Sequence, residues 1–284
     1  MANLIACART SERVILLGDP QQLPQVSVTE HPYPINTSAL GWVIGDNATV
    51  DAEHGYFLDT TYRMSQQLCE PLSGLFYDGK LSAADVNKNR SLAAGKDSSG
   101  YGMFREPGLY VCEVPNTGAR VRSVVEAQVI EQAIRGFLGQ VWNTGDTDNE
   151  GVTVTVDDVI VVAAYNAQVD TITEHLRLVG LIDEDGNGVR VGTVDKFQGQ
   201  QAVVSIVSMA ASNACLSSRG AEFLLSGNRL NVAVSRGKHA ALVVASGELS
   251  RFVPNTSSEA EALSTYVGLM GSARRVDFEA LASA

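Results

Sequence analysis

Val159-Ile160-Val161-Val162-Ala163-Ala164-Tyr165-Asn166-Ala167-Gln168 is the stretch that decides how this 284-residue chain is read. Six apolar residues in succession, then polar ones, describe a strand buried on both faces rather than one with a wet side. Directly behind it, Val169, Ile172, Leu176 and Val179 recur at helical spacing. The same alternation extends outward. Apolar runs at 189–191, 203–208 and 241–245 follow, and another at 109–114 precedes. Ser123 and Glu126 read as a capping box for a helix reaching about Leu138. Leu68, Leu72, Leu75 and Phe76 mark a further helix, with Ser65 as N-cap, Gly79 beyond its end and Pro71 expected to kink it. Strands alternating with helices, and apolar along their length, predict an α/β fold: a parallel sheet with helices on both faces. Residues 13–17 (RVILL) read as one more buried strand, running into Gly18-Asp19-Pro20. Residues 27–55 are irregular and suit a domain junction, while 82–108 and 143–151 read as exposed loops.

Composition sets the bounds. The chain is 45% hydrophobic and 19% charged, which excludes a disordered or fibrous protein. Its length suggests about two domains. The 21 Lys and Arg against 32 Asp and Glu give a net charge of −11. That argues against coating nucleic acid through bulk charge, but not against a local basic track. Cys7, Cys69, Cys112 and Cys215 are far apart and suit a reducing, cytoplasmic setting. No run approaches the ~18 apolar residues that span a bilayer, so no membrane is expected. His31, His54, His175 and His239 do not cluster with carboxylates, so no metal site is expected.

Two motif matches are set aside. Gly74 to Lys80 fits GxxxxGK, but Leu81 stands where Ser or Thr would bind magnesium, and the stretch closes a helix. Asp183 to Gly188 fits half of a calcium loop, but Val194 occupies the position of the bidentate glutamate. A helix-to-strand turn is the better description.

Five segments set polar residues or glycine just after an apolar strand or at a helix edge: GDPQQLP (18–24), TYRM (61–64), AYNAQ (164–168), GTVDKFQGQQ (192–201) and NRLNVAVSRG (228–237). In an open parallel sheet, ligands bind at the carboxyl ends of the strands, and the segments are expected to gather there. In this order they resemble motifs III to VI of superfamily 1 helicases. The branch is that of the nonsense-mediated-decay helicases, and within it bacterial proteins that fuse a RecB-like nuclease to the helicase. The resemblance covers residues 13 to about 246.

The resemblance implies a RecA-like second motor domain over 55–284 and the tail of the first over 1–54, with Met1 as a boundary inside a longer protein. It also implies roles. Gln22 would sense the γ-phosphate and couple it to the nucleic-acid site. Arg63 would contact the γ-phosphate and Arg236 would be the arginine finger, a fixed and forked charge worth roughly 10³–10⁵ in rate. Gly199, Gln201 and Arg229 would lie at the nucleotide, Arg229 in a supporting role. Thr193, Tyr165, Asn166 and Gln168 would face the nucleic acid, with Tyr165 either stacking on a base or packing on the core.

The family usually carries Glu where Gln201 stands, so that contact loses its charge. The chain has no GxxxxGK[ST] and no Asp-Glu pair ahead of Arg13. ATP and Mg²⁺ would therefore be held mainly by the first motor domain, in a preceding half of the protein that can include the nuclease. The implied activity is ATP-driven translocation along, or unwinding of, nucleic acid. Single-stranded DNA is favoured over RNA and 5′-to-3′ polarity is typical. The fragment alone would be inactive. The rival is a non-catalytic module, a helicase half that binds nucleic acid or a partner without turnover.

Overall fold

A computed structural model describes residues 2–24, 35, 37–45, 47–95, 103–145, 151–277 and 279. Parts of the stretches 27–55, 82–108 and 143–151 lie outside these residues. The amino-terminal part holds α1 (Ala2–Ala8), α2 (Ala39–Ile44), β1 (Thr60–Thr61), α3 (Gln66–Phe76), β2 (Ser82–Ala83) and β3 (Ser91–Ala93). Next come β4 (Gly108–Val114), α4 (Val124–Phe137), β5 (Val141–Asn143), β6 (Val152–Thr153), β7 (Val159–Ala163) and α5 (Asn166–Leu178). The chain continues through β8 (Arg190–Thr193), β9 (Ala202–Ser208), α6 (Ala221–Leu224), α7 (Gly227–Val234), β10 (Gly237–Ser246), α8 (Ser257–Gly271) and β11 (Arg274–Val276).

The main sheet has six strands in the order β11-β4-β10-β9-β7-β8, and every pairing is parallel. The decisive stretch behaves as its composition demands. All five residues of β7 are buried. Ile160 and Val162 enter one hydrophobic cluster, with α3, α7 and α8. Val159, Val161 and Ala163 enter the other, with α4 and α5. Alternate side chains thus feed two cores, because a strand's side chains point to opposite faces. β10 does the same with Ala241 and Val243 against Leu242 and Val244.

Three local expectations are corrected, in whole or in part. Residues 13–17 form no strand, and Ile15 and Leu17 are 83% and 90% exposed. A strand exists through its ladder of hydrogen bonds, and this run pairs with no strand among the described residues. Ser65 stands at the N-cap position of α3 as expected, but its side chain makes no capping bond; its hydroxyl donates to His239 O at 2.9 Å, pinning the segment to β10. Ser123 does cap α4, accepting from Glu126 N, yet Glu126 does not reach back. Its carboxylate turns inward, accepting from Ser208 Oγ at 2.6 Å, Ala210 N at 2.9 Å and Asn116 Nδ2 at 3.1 Å. Three donors inside the core compete better than one backbone amide at the helix start.

The two discarded matches are structural. Gly74 to Phe76 ends α3, and Gly79 follows with φ +71°. Asp183 accepts from Asn187 N and Nδ2, closing the turn between α5 and β8.

Candidate functional site

The motif residues do not all gather at the strands' carboxyl ends. Thr193 ends β8 and the Tyr165–Asn166 step follows β7, at the carboxyl edge. Gln201 and Arg236 immediately precede β9 and β10, at the amino edge. The cause is topological. For β9 to run parallel to β7 and β8, the chain must return along the sheet between Thr193 and Ala202. One motif therefore serves both ends.

At the amino edge, Arg236 is 1% exposed. Its Nε donates to Val232 O at 2.9 Å and its Nη1 to Gln200 O at 3.2 Å. Arg63 lies beside it, with Nη1 donating to Ser235 O at 3.1 Å. The Arg63 segment is held in place by Ser65 N donating to Lys238 O, by Asn87 Nδ2 on Thr61 O and Met64 O, and by Arg90 Nη1 on Arg63 O. Burial and then the neighbouring Arg63 push the Arg236 guanidinium down to about 10, and burial also lowers Arg63. Among the described residues neither arginine has an ion-pair partner, and the buried Arg63 Nε has no acceptor. Two desolvated like charges cost free energy that an anion beside them would offset. The residues thus fit a polyphosphate. No group of three His, Cys, Asp or Glu fit to hold a metal occurs among the described residues.

Gln201 is exposed at this edge. Gly199 has φ +82°, with open space where a Cβ would stand. Its need for glycine is therefore conformational rather than a matter of crowding.

The loop carrying Gln22 joins the same group. Gln22 Nε2 donates to Asp19 Oδ2 at 2.8 Å, and Tyr77 OH donates to the same oxygen at 2.7 Å. Asn228 Nδ2 donates to Pro20 O at 2.9 Å and Gln22 O at 2.6 Å. Asn231 Nδ2 donates to Gln21 O at 2.9 Å and Tyr77 OH at 2.8 Å. The two asparagines are one turn apart on α7, so they share a face. They bind the Gln22 loop to α7, the helix that runs up to the Ser235–Arg236 step. Both stand in the NRLNVAVSRG segment, but sequence reasoning weighed only its arginines. Their spacing of three on a helix was the available signal.

At the carboxyl edge, Asn166 is exposed and Thr193 half-buried. Two expectations fail here. Gln168 is fully buried: its Oε1 accepts from Ser123 N at 2.6 Å and its Nε2 donates to Ser123 O and Ser208 Oγ. It braces α4 against β9 and cannot face a ligand track. Tyr165 is 7% exposed, hydrogen-bonded to Ser217 Oγ at 2.7 Å and packed 5.8 Å from the Phe223 ring. Of its two readings, the core-packing one holds. Arg229 also departs from expectation. Its Nη1 lies 3.5 Å from Asp195 Oδ2 and its guanidinium sits over Phe223. It belongs with the carboxyl-edge residues, because α7 ends at Val234 and Arg236 lies beyond it, off the shared helical face. Glu126 lies buried behind this edge, and burial raises its carboxyl to about 7 against the pull of its three donors.

The family model described as "AAA domain" matches residues 45–248. An uncharacterised ATP-dependent helicase of Caenorhabditis elegans is 31% identical over 187 residues, covering 66% of this chain and 11% of that protein. DNA polymerase alpha-associated DNA helicase A of Schizosaccharomyces pombe is 29% identical, over 82% of this chain and 33% of its own length. The human DNA replication ATP-dependent helicase/nuclease DNA2 is 26% identical, over 81% and 22% respectively. The chain thus spans between about a tenth and a third of these curated relatives. A solved C-terminal domain of a possible DNA helicase from Lactobacillus plantarum aligns at 18% identity with TM-score 0.36, covering 71% of this chain and 94% of that one.

Proposed function

This chain belongs to the AAA domain family, of superfamily 1 helicase type, and we propose that it forms the second motor lobe of an ATP-dependent helicase acting on single-stranded nucleic acid, DNA in preference to RNA. Residues 55–284 are the RecA-like lobe in this reading, and 1–54 are the tail of the first. The reading rests on one observation above others: the Arg63–Arg236 pair, desolvated, without an ion pair among the described residues although the Asp19 carboxylate bears on Arg236, and tied through α7 to the Gln22 loop. A scaffold protein has no use for two desolvated guanidiniums at such a place.

ATP would lie against the amino ends of β9 and β10, with Gly199 and Gln201 at its edge. Bound Mg²⁺ would neutralise charge on the phosphates; the Walker lysine and the metal ligands are assigned to the first motor lobe. Arg63 and Arg236 would each offer guanidinium donors to the terminal phosphoryl group, where charge is spread over three oxygens in the transition state; in this structure those of Arg236 are held by Val232 O, Phe197 O and Gln200 O. Gln22 offers both a donor and an acceptor, so it can register whether that group is present. Nucleic acid would cross the carboxyl edge at Thr193 and Asn166. Residues 193–202 run from one edge to the other, and α7 carries asparagines to the Gln22 loop and Arg229 to the far edge. Closure on ATP would therefore be felt at the track.

The test has two arms. The chain alone should not hydrolyse ATP with or without single-stranded DNA, and robust stimulated turnover would refute the assignment. Joined to a first lobe carrying Walker motifs, it should turn over ATP, and Arg236→Ala should abolish that turnover while leaving the thermal unfolding transition cooperative. Undiminished ATPase in Arg236→Ala would remove the arginine from the reaction.

A further inference from the structure

The carboxyl edge carries a group of which only Arg229 stands in a motif. Phe223 in α6 is half-buried, and two guanidiniums lie over its ring: Arg219 at 3.7 Å and Arg229 at 4.2 Å from the centroid. Among the described residues Arg219 is exposed and has neither an ion-pair nor a hydrogen-bond partner; the ring is its support. Arg229 has only the long contact to Asp195. The neighbouring carboxylate, Glu222, is taken up by Ser258 Oγ at 2.6 Å.

The group adjoins the motif residues. Phe223 and Arg229 line a small cleft together with Ala163, Ala164 and Val194, the residues around the ends of β7 and β8. Tyr165 fixes the Arg219 loop through Ser217. A second loop is tied to the same edge by Ser212, whose N and Oγ both donate to Ala119 O at 2.8 and 3.0 Å. It carries Arg120 and Arg122, both exposed and without an ion pair among the described residues. In a chain of net charge −11, Arg120, Arg122 and Arg219 are exposed arginines that have no ion pair among the described residues.

We propose that Arg219, Phe223 and Arg229 form a phosphodiester clamp for one strand of nucleic acid, with Arg120 and Arg122 extending its field. This rests on the reading of the carboxyl edge as the nucleic-acid track. A guanidinium stacked on an aromatic ring loses little freedom when it binds a phosphate, and its outward N–H groups match two phosphate oxygens. Phe223 is the ring on which the two guanidiniums stack, while Tyr165 is spent on packing.

The experiment is fluorescence anisotropy of a labelled oligothymidylate with the full chain, titrated over a range of salt. Arg219→Ala should weaken binding about tenfold at low salt. It should also lower the magnitude of the log K against log salt slope by about 0.7, the value for one phosphate contact on a single strand. Arg219→Ala with Arg229→Ala should lower it by about 1.4. Arg219→Lys should keep the slope but lose affinity, because the charge survives and the stacking does not. Arg219 is exposed, so its variants should melt like the parent.

Thr193→Ala and Asn166→Ala are measured alongside. If they weaken binding while the Arg219 variants match the parent in affinity and slope, the clamp is wrong and the track stands. If the parent binds no oligothymidylate at low salt, or no variant alters binding, both are wrong. An oligouridylate arm shows whether the clamp discriminates the sugar, which a phosphate contact should not.

Discussion

Asn228→Ala removes two of the five hydrogen bonds, at 2.9 and 2.6 Å, that hold the Asp19–Gln22 loop to the rest of the described chain; Asn231 and Tyr77 supply two more at 2.9 and 2.7 Å, and Gln21 Nε2 donates the fifth to Ala48 O at 3.2 Å. Each such bond contributes about 1 kcal/mol net. Losing two should therefore cost about 2 kcal/mol of loop docking, or roughly a thirtyfold rise in the undocked population. Asn228 is half-buried and outside both hydrophobic clusters, so the cost should fall on the loop and not on the global fold. Hydrogen exchange of a peptide spanning residues 18–24 reads this directly, with a β9 peptide as internal reference. The loop should exchange about thirty times faster in the variant, and β9 at the parent rate. Equal exchange in the loop would refute the latch. Acceleration of β9 by the same factor would show that Asn228 supports the fold rather than the docking. In a complete motor, a working latch further predicts that Asn228→Ala weakens the coupling of ATP turnover to nucleic acid more than it weakens turnover itself.

Three further outcomes follow from the buried interior. Glu126 is raised to about 7 from an ordinary 4.5, so the folded state holds its proton longer than the unfolded one. Its stabilising effect is complete below pH 4.5 and lost as pH rises through 7. Relative to the parent, Glu126→Gln should gain on the order of 3 kcal/mol of unfolding free energy between pH 4 and pH 8, read by urea titration; a difference independent of pH would show that Glu126 is not held protonated. His239 has the opposite sign. Burial lowers it to about 4 from 6.5, so its contribution is complete above 6.5 and lost as pH falls toward 4. The acid limb of the parent's stability should thus flatten in His239→Gln. Gly188 has φ +123°, and an added Cβ would strike Leu181 O, so Gly188→Ala should cost more than about 2 kcal/mol in the same titration.

Much of this molecule was legible before any coordinates. Continuous apolar runs such as 159–163 can be satisfied only by a parallel sheet with both faces covered, and Val169, Ile172 and Leu176 follow a period only a helix has. Five ordered motifs carried the family. These are local properties, repeated along the chain, and local patterns survive in one dimension. What they left open concerned direction and burial. Pattern marks 13–17 as a strand, but a strand needs a partner, and whether one lies alongside is not written in the five residues themselves. Gln168 and Asn166 stand two apart at a strand's end and look alike as polar residues. Only the packing of α5 against α4, β7 and β8 turns one into the core and leaves the other in water. Glu126 carries the signature of a capping box, yet three donors converging from Asn116, Ser208 and Ala210 claim its carboxylate. Arg229 and Arg236 are seven apart in sequence, yet α7 ends between them and sends them to opposite edges of the sheet. Sequence alone determined which residues the chain has for phosphate chemistry and what sheet they stand on. The tertiary structure decided which of them meet, because long-range hydrogen bonds and desolvation depend on neighbours that are distant along the chain.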